Sequence, residues 1–355
     1  MRRELGTTIV MAALVSSGAG LAQESQDLEE ITVKAIGLNS KTIVSFGDEK
    51  PFWEETIPAE SGGRITVQFA PIDLAGVKDP QIMRMTSLGV TDFGAGDISK
   101  MAGDNPVFEG CDLAGLALDI ETARKACEAW APVMGEVMEE QFNVKLLALG
   151  TNPPQVIWCR DELGGIEDLE GRKVRVFNKT MSDFINAVGG TTVSMPFAEV
   201  VPALQRGVVD CAVTGSLSGN TAGWPEVSDF LYPMYMGWSI NYQSVNLDSW
   251  NGWPEAVQDF FVQEFDDFED KMWETAAKAT ADAENCNFGK EPCEMGKMAD
   301  MTLVPVSEED KQKHKQLMQD VVLVEWAKRC GQECAQKWNE LVGPVVGLEI
   351  PLDQI

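Results

Sequence analysis

The chain reads as an α/β protein of two lobes, with mostly parallel or mixed sheets around a ligand cleft and long helices at its C-terminal end. Three observations predict this. β-Branched runs alternate with helical runs closed by glycine, which is how αβ steps of a largely parallel sheet look in sequence. The pattern occurs twice, before and after the polar segment Gly150-Thr151-Asn152-Pro153-Pro154. A length of 355 residues also favours two domains over one.

The first stretch has the features of a secretory signal. Arg2 and Arg3 supply charge, residues 9–15 an apolar run, and Gly20-Leu21-Ala22 a small-residue cleavage site. The run is far shorter than the roughly 20 residues a membrane span needs. Residues 1–22 are therefore expected to be cleaved near Ala22, and the protein to be periplasmic. Residues 31–37 follow as a strand with the turn Leu38-Asn39-Ser40, then a helix over 51–60 stopped by Gly62-Gly63. Residues 64–69 alternate as a strand, 80–88 as a helix, and 89–94 as a short strand before the loop Ala95-Gly96-Asp97. Ligands of such sheets sit beyond the carboxyl ends of strands. Asn39 and Asp97 are thus candidate pocket-edge residues, with plain turn chemistry an equal alternative.

A helix over 120–142 and a strand over 144–148 lead to the Pro-Pro crossing. Strands are expected at 155–160, 173–176, 192–195 and 208–213, with helices over 181–188 and 198–206. Residues 234–245 return to strand, 250–283 are mostly helix, and 308–341 are helical with a break near Cys330-Gly331. Lobe I is expected to comprise 23–150 plus about 239–280, and lobe II 151–238 plus about 281–308. Residues 309–355 pack on both as a helical segment.

A net charge of −28 argues against nucleic acid or an anionic membrane surface, both of which demand a basic face. Eight cysteines, Cys111, Cys127, Cys159, Cys211, Cys286, Cys293, Cys330 and Cys334, agree with an oxidising destination. They allow about 105 pairings. Closeness in sequence suggests Cys286–Cys293 and Cys330–Cys334, and leaves the other four open. Enzyme chemistry finds little support. The single histidine, His314, lies in the run Lys311-Gln312-Lys313-His314-Lys315 and reads as solvent-facing. No Ser-His-Asp set, phosphate loop or Cys-x-x-Cys motif is present, and no cofactor or metal is expected. A secreted hydrolase acting through paired carboxylates stays a remote alternative.

The most informative residue is Arg175, inside the strand Lys173-Val174-Arg175-Val176. An arginine among apolar strand neighbours is costly unless an anion pairs with it. That anion is either a structural Asp or Glu, or the carboxylate of a ligand, which a guanidinium can grip through two parallel N–H groups.

The surrounding residues resemble the solute-binding proteins of tripartite ATP-independent periplasmic (TRAP) transporters, of the dicarboxylate-binding type, in a cysteine-rich branch. The matching pattern runs in order through Gly171, Lys173, Arg175, Gly189, Met195-Pro196, Glu199 and Ala203-Leu204-Gln205, then Gly207-Val208-Val209-Asp210. Gly62–Val67, the Asn246, Trp250, Pro254 spacing, and Trp326–Gly331 with Trp338-Asn339 resemble further parts of that family. The resemblance implies a periplasmic-binding-protein-like receptor that closes on a small organic acid and presents it to TRAP membrane permease subunits. It implies that Arg175 clamps the ligand carboxylate. Gln155 falls where some members carry a second arginine, and Thr214 where others carry an amide; both would add neutral hydrogen bonds. Trp238 is a candidate aromatic wall. With one arginine assigned, the ligand is expected to be a monocarboxylate. An ABC-type receptor is the rival within the same class.

Overall fold

A computed structural model of the chain describes residues 28–355, so the expected signal and its cleavage site lie outside the described residues. The strands are β1 (Ile31–Gly37), β2 (Ile65–Pro71), β3 (Phe93–Asp97), β4 (Val144–Gly150), β5 (Gln155–Cys159), β6 (Lys173–Val176), β7 (Thr191–Ser194), β8 (Cys211–Gly215), β9 (Phe230–Tyr232), β10 (Asn241–Asn246) and β11 (Thr302–Leu303). They form two sheets, β2-β1-β3-β10-β4 and β11-β9-β5-β8-β6-β7. Both are mixed. β1 runs parallel to β2 and β3 while β10 is antiparallel to β3 and β4; β6 is parallel to β7 and β8 while β5 is antiparallel to β8 and β9. The predicted α/β class with mixed sheets is therefore what the chain adopts.

Two segments cross between the sheets. One is 151–154, between β4 and β5. The other is 233–240, between β9 and β10, and the two are bonded to each other. Gln155 N–H donates to Gly237 O at 2.8 Å, Met236 N–H to Gln155 O at 2.8 Å, and Thr151 Oγ1 to Trp238 O at 2.9 Å. The continuous strand expected over 234–245 is instead this crossing followed by β10, because the backbone of 236–240 spends its hydrogen bonds on the other crossing and on Asp112. A further correction concerns 89–94. Gly89 sits at φ 65° just after the helix Asp79–Ser87, and the strand starts only at Phe93 and includes Asp97. Gly94 and Gly96 are glycine within the strand because the neighbours leave no room for a side chain. A Cβ at Gly94 would come within 2.2 Å of Thr86 Oγ1, and one at Gly96 within 3.0 Å of the Tyr242 ring.

The helix Glu255–Asn287 spans 33 residues, about 50 Å at 1.5 Å per residue. Its buried stripe Val257, Phe261, Phe265, Phe268, Met272 follows i, i+4, i+3 spacing and packs with Phe52, Trp53 and Phe93 in the first core. Its far end reaches the second sheet's lobe, where Asn287 Nδ2 donates to Ser216 O at 2.9 Å. The C-terminal helices run from Glu308 to Cys330, and from Gln332 to Leu341, with Gly331 at φ 90° between them. Trp326 and Trp338 donate their indole N–H groups to Pro106 O and Gly110 O, both at 2.7 Å. Arg329 meets Asp183 at 2.7 Å and Glu109 at 3.4 Å.

His314 corrects the expectation of a solvent-facing residue. It is 1% exposed, packs on Phe184 at 5.1 Å, and its Nε2 lies 3.0 Å from Tyr235 O. The flanking lysines cover the outer faces of the helix, while position 314 faces inward. Burial holds its pKa below the usual histidine range.

All eight cysteines are paired: Cys111–Cys127, Cys159–Cys211, Cys286–Cys293 and Cys330–Cys334. Cys159 and Cys211 lie directly opposite on β5 and β8. In the chain-entropy account this bridge, with a separation of 52 residues, contributes about 4 kcal/mol and Cys286–Cys293, with a separation of 7, about 2 kcal/mol. Denaturant titration of the two double-alanine variants should show the larger loss for Cys159/Cys211. Equal losses would mean that loop length does not govern their effect.

Candidate functional site

Arg175 is reached from β6, whose register places it opposite Ala212 on β8 and Val193 on β7. The residue is 3% exposed. Its guanidinium lies over the Phe177 ring at 5.4 Å and donates only to carbonyls: Nε and Nη2 to Met195 O at 3.2 and 3.1 Å, and Nη1 to Val213 O at 2.8 Å. Three of its five N–H groups are used, leaving one on each terminal nitrogen without an acceptor among the described residues. No acid pairs with it, and burial pushes its pKa down to about 10. The structural salt bridge that the sequence left open is thus not formed. Arg175 is a buried cation held in place by backbone and lacking a counter-charge.

Gln155 and Thr214 come to the same sheet. Gln155 opens β5 opposite Gly215, and Thr214 lies opposite Val156, one strand from Arg175. Both are buried, at 3% and 5% exposure. Gln155 Nε2 donates to Pro153 O at 3.2 Å. Asn39 lies in the turn after β1 and Asp97 closes β3, both at the other sheet. Asn39 accepts from Lys41 N–H at 3.1 Å, as a turn residue does. Asp97 accepts from Ser99 N–H and Oγ and, through its second oxygen, from Ser239 Oγ at 2.7 Å, so it ties β3 to the crossing segment. Trp238, the candidate aromatic wall, is as buried as Arg175 and Gln155. Its indole is 2% exposed, donates to Ala117 O at 3.0 Å and sits edge-on to Tyr235 within the core. The ring turns inward because Asp112 fixes the backbone beneath it, accepting from Trp238 and Ser239 N–H at 2.8 Å each.

Sequence reasoning missed Lys100, in the short turn after β3. Its Nζ is 2.9 Å from Asp79 Oδ2, with 32% of its side chain open. Burial alone would lower its pKa, but Asp97 and Asp79 outweigh that and raise it, while Arg175 opposes them. A lone lysine in an irregular turn carries no periodic signal that could have marked it. A surface cavity of about 490 Å³ lies elsewhere, between the helix Ile120–Phe142 and β4. Glu128, Glu136, Glu139 and Glu269 line it, which makes it a poor place for an anion.

Two lobes, each with its own sheet, joined by paired crossing segments and a shared long helix, are the architecture of the periplasmic-binding-protein class. Within it, the chain belongs to bacterial extracellular solute-binding protein family 7, whose family model matches residues 41–329. Its sequence is 26% identical over 214 residues to the C4-dicarboxylate-binding periplasmic protein DctP of Rhodobacter capsulatus, covering 58% of this chain and 62% of that one. The fold is similar to that of DctP7, a Bordetella pertussis extracytoplasmic solute receptor binding pyroglutamic acid. The TM-score is 0.77 at 18% identity, over 88% of this chain and 99% of that one. A TRAP periplasmic solute-binding protein of Haemophilus influenzae with bound L-gulonate is similar at a TM-score of 0.75 and 21% identity, over 89% and 100% of the two chains. The family is one of receptors rather than enzymes, and the resemblance to TRAP solute-binding proteins holds.

Proposed function

We propose that the protein is exported to the periplasm, captures a small monocarboxylate between its lobes and delivers it to TRAP permease subunits. The observation that carries this reading is the buried, uncompensated guanidinium of Arg175, with two N–H groups to spare. A ligand carboxylate is planar and bidentate, which is the geometry two guanidinium N–H groups match. A single negative charge is favoured because the other cation nearby, Lys100, is already balanced by Asp79 and Asp97. Gln155 and Thr214 would serve as neutral partners of the ligand, with Asn39 and Asp97 at the edge of the opposite lobe. Delivery needs a separate membrane protein, since no described helix is long and apolar enough to cross a membrane. Several solved neighbours of similar fold hold organic acids, including pyroglutamic acid and L-gulonate, which agrees with this class of ligand.

The test is a melting-temperature screen of mono- and dicarboxylates. A ligand that binds only the folded chain at 100 times its Kd stabilises by about 2.7 kcal/mol, a shift of several degrees. Monocarboxylates should give the largest shifts. Larger shifts from dicarboxylates would overturn the single-charge reading, and no shift from any acid would overturn the acid itself.

A further inference from the structure

His314 is the chain's single histidine, and its side chain holds one of the two segments that cross between the sheets. It turns inward from the helix Glu308–Leu317, and its Nε2 lies 3.0 Å from Tyr235 O, within the crossing 233–240. A carbonyl can only accept, so Nε2 carries the proton. Nδ1 is sealed from solvent and has no partner among the described residues, so it carries the lone pair of a neutral ring.

Neighbours close in on the ring from both lobes. Phe184 packs on it at 5.1 Å. Gly115 sits at φ 85°, and a Cβ there would come within 2.7 Å of the imidazole Cε1, so the loop backbone lies directly against the ring. The titratable groups on the packed elements are engaged elsewhere. On the histidine's own helix, Asp310 accepts from Ile166 and Ser307 N–H at 2.9 Å each, Lys311 pairs with Glu308, Lys313 pairs with Glu167, and Lys315 is exposed. Beside Phe184, Asp183 pairs with Arg329 and Lys179. On the loop of Gly115, Asp112 accepts from Trp238 and Ser239 N–H at 2.8 Å each. The phenols of Tyr232 and Tyr235 stay neutral, since burial raises their pKa values. None of these side chains bonds to His314. A second proton on the ring would therefore place a charge and an unmet N–H donor in a sealed pocket, which is costly.

We propose that His314 is an acid-sensitive pin of the joint between the sheets. Neutral, it fastens the crossing 233–240 to the C-terminal helix; protonated, it leaves its pocket and lets that crossing open. Opening gives Nδ1–H access to water, so the open form binds the proton more tightly and acid favours it. Burial holds the pKa below the usual histidine range, so the pin stays set at neutral pH. The same crossing supplies Gly237 O and Met236 N–H, the two backbone groups that bond Gln155, so its release reaches the start of β5. The device does not depend on which ligand the receptor takes.

The test is hydrogen exchange of the ligand-free full chain from about pH 8 to about pH 5, read by mass over residues 233–240 and over β8. Corrected for the intrinsic exchange rates, the opening of 233–240 should rise about threefold or more on acidification, while that of β8 does not rise. In His314→Gln, whose side-chain N–H can still donate to Tyr235 O but does not titrate, the rise should shrink to about 1.5-fold or less. A single histidine also gives a single set of imidazole resonances. Their nitrogen shifts should show the Nε2–H form at neutral pH, and their titration should coincide with the opening of the crossing. If His314→Gln does not melt cooperatively, this coincidence in the wild type decides. An opening that does not change with pH overturns the proposal, as does a histidine that takes up its second proton while the crossing stays closed. An acid response that survives in His314→Gln also overturns it and points to Asp112 as the sensor.

Discussion

Arg175→Ala is expected to weaken ligand binding by at least about 100-fold while leaving the melting temperature close to that of the wild type. Truncating one partner of a buried charge pair costs a few kcal/mol in affinity, because the other partner is left desolvated and unpaired. The effect on folding is smaller because two terms oppose each other. Removing a cation that no acid balances relieves its desolvation. It also strips Met195 O and Val213 O of their donors. Arg175→Lys separates charge from shape. A lysine keeps the charge but cannot present two coplanar N–H groups or bridge two carbonyls at once, so it should lose about tenfold or more. Calorimetry showing undiminished affinity in Arg175→Ala would remove the residue from the site.

The second large effect concerns pH. Burial pushes Glu49 up to about 7, against the lowering influence of its bonds to Gln243 and Leu38 N–H. Burial likewise raises Asp112 to about 7, despite the N–H groups of Trp238 and Ser239 and with Asp97 adding to the rise. Asp48 is raised to about 6 by burial, against its bond to Thr275 and the charge of Lys271. The unfolded chain releases these protons near pH 4, whereas the folded chain holds them to between pH 6 and 7. Over that window the folded state binds more protons, so stability falls as pH rises from about 4 to about 7 and then levels off. One pKa unit corresponds to about 1.4 kcal/mol, so Glu49 and Asp112 each account for up to about 3–4 kcal/mol. Asp310 acts in the opposite sense, and so does His314, whose lowered pKa makes the unfolded chain bind more protons as pH falls through the usual histidine range. Burial would raise Asp310, but bonds from Ile166 and Ser307 outweigh that and lower its pKa, so its contribution is lost on acidification below about pH 4. The urea midpoint should therefore be highest near pH 4–5 and drop towards pH 8, with the drop shallower in Glu49→Gln and in Asp112→Asn. A midpoint that is flat or rising from pH 5 to 8 would contradict this account.

The αβ alternation and the Pro-Pro crossing were readable in the sequence because β-branched runs, glycine stops and Pro-Pro act locally. Arg175 was legible for a related reason: a charge inside an apolar strand is conspicuous on its own. What stayed hidden depends on three-dimensional partners. Cys111–Cys127 and Cys159–Cys211 join positions 16 and 52 residues apart, and their pairing follows only from the packing of a helix on its loop and from the register of β5 on β8. His314 looked exposed because its sequence neighbours are lysines, while its burial is set by Phe184 and Tyr235, more than seventy residues away. Lys100 carries no signal of its own. It matters because Asp79, on a helix 21 residues earlier, and Asp97 arrive beside it, and that is a property of topology.

The four disulfides have a mechanical consequence. Each closes within one structural body: 111–127 beside the first sheet, 159–211 across the second, 286–293 at the end of the long helix, and 330–334 across the break at Gly331 between two C-terminal helices. Among the described residues no sulfur–sulfur bond spans the gap between the sheets. The cross-links therefore act as internal bracing of the individual parts, and the covalent path between the sheets runs through 151–154, 233–240 and the 33-residue helix without a sulfur bridge to stiffen it.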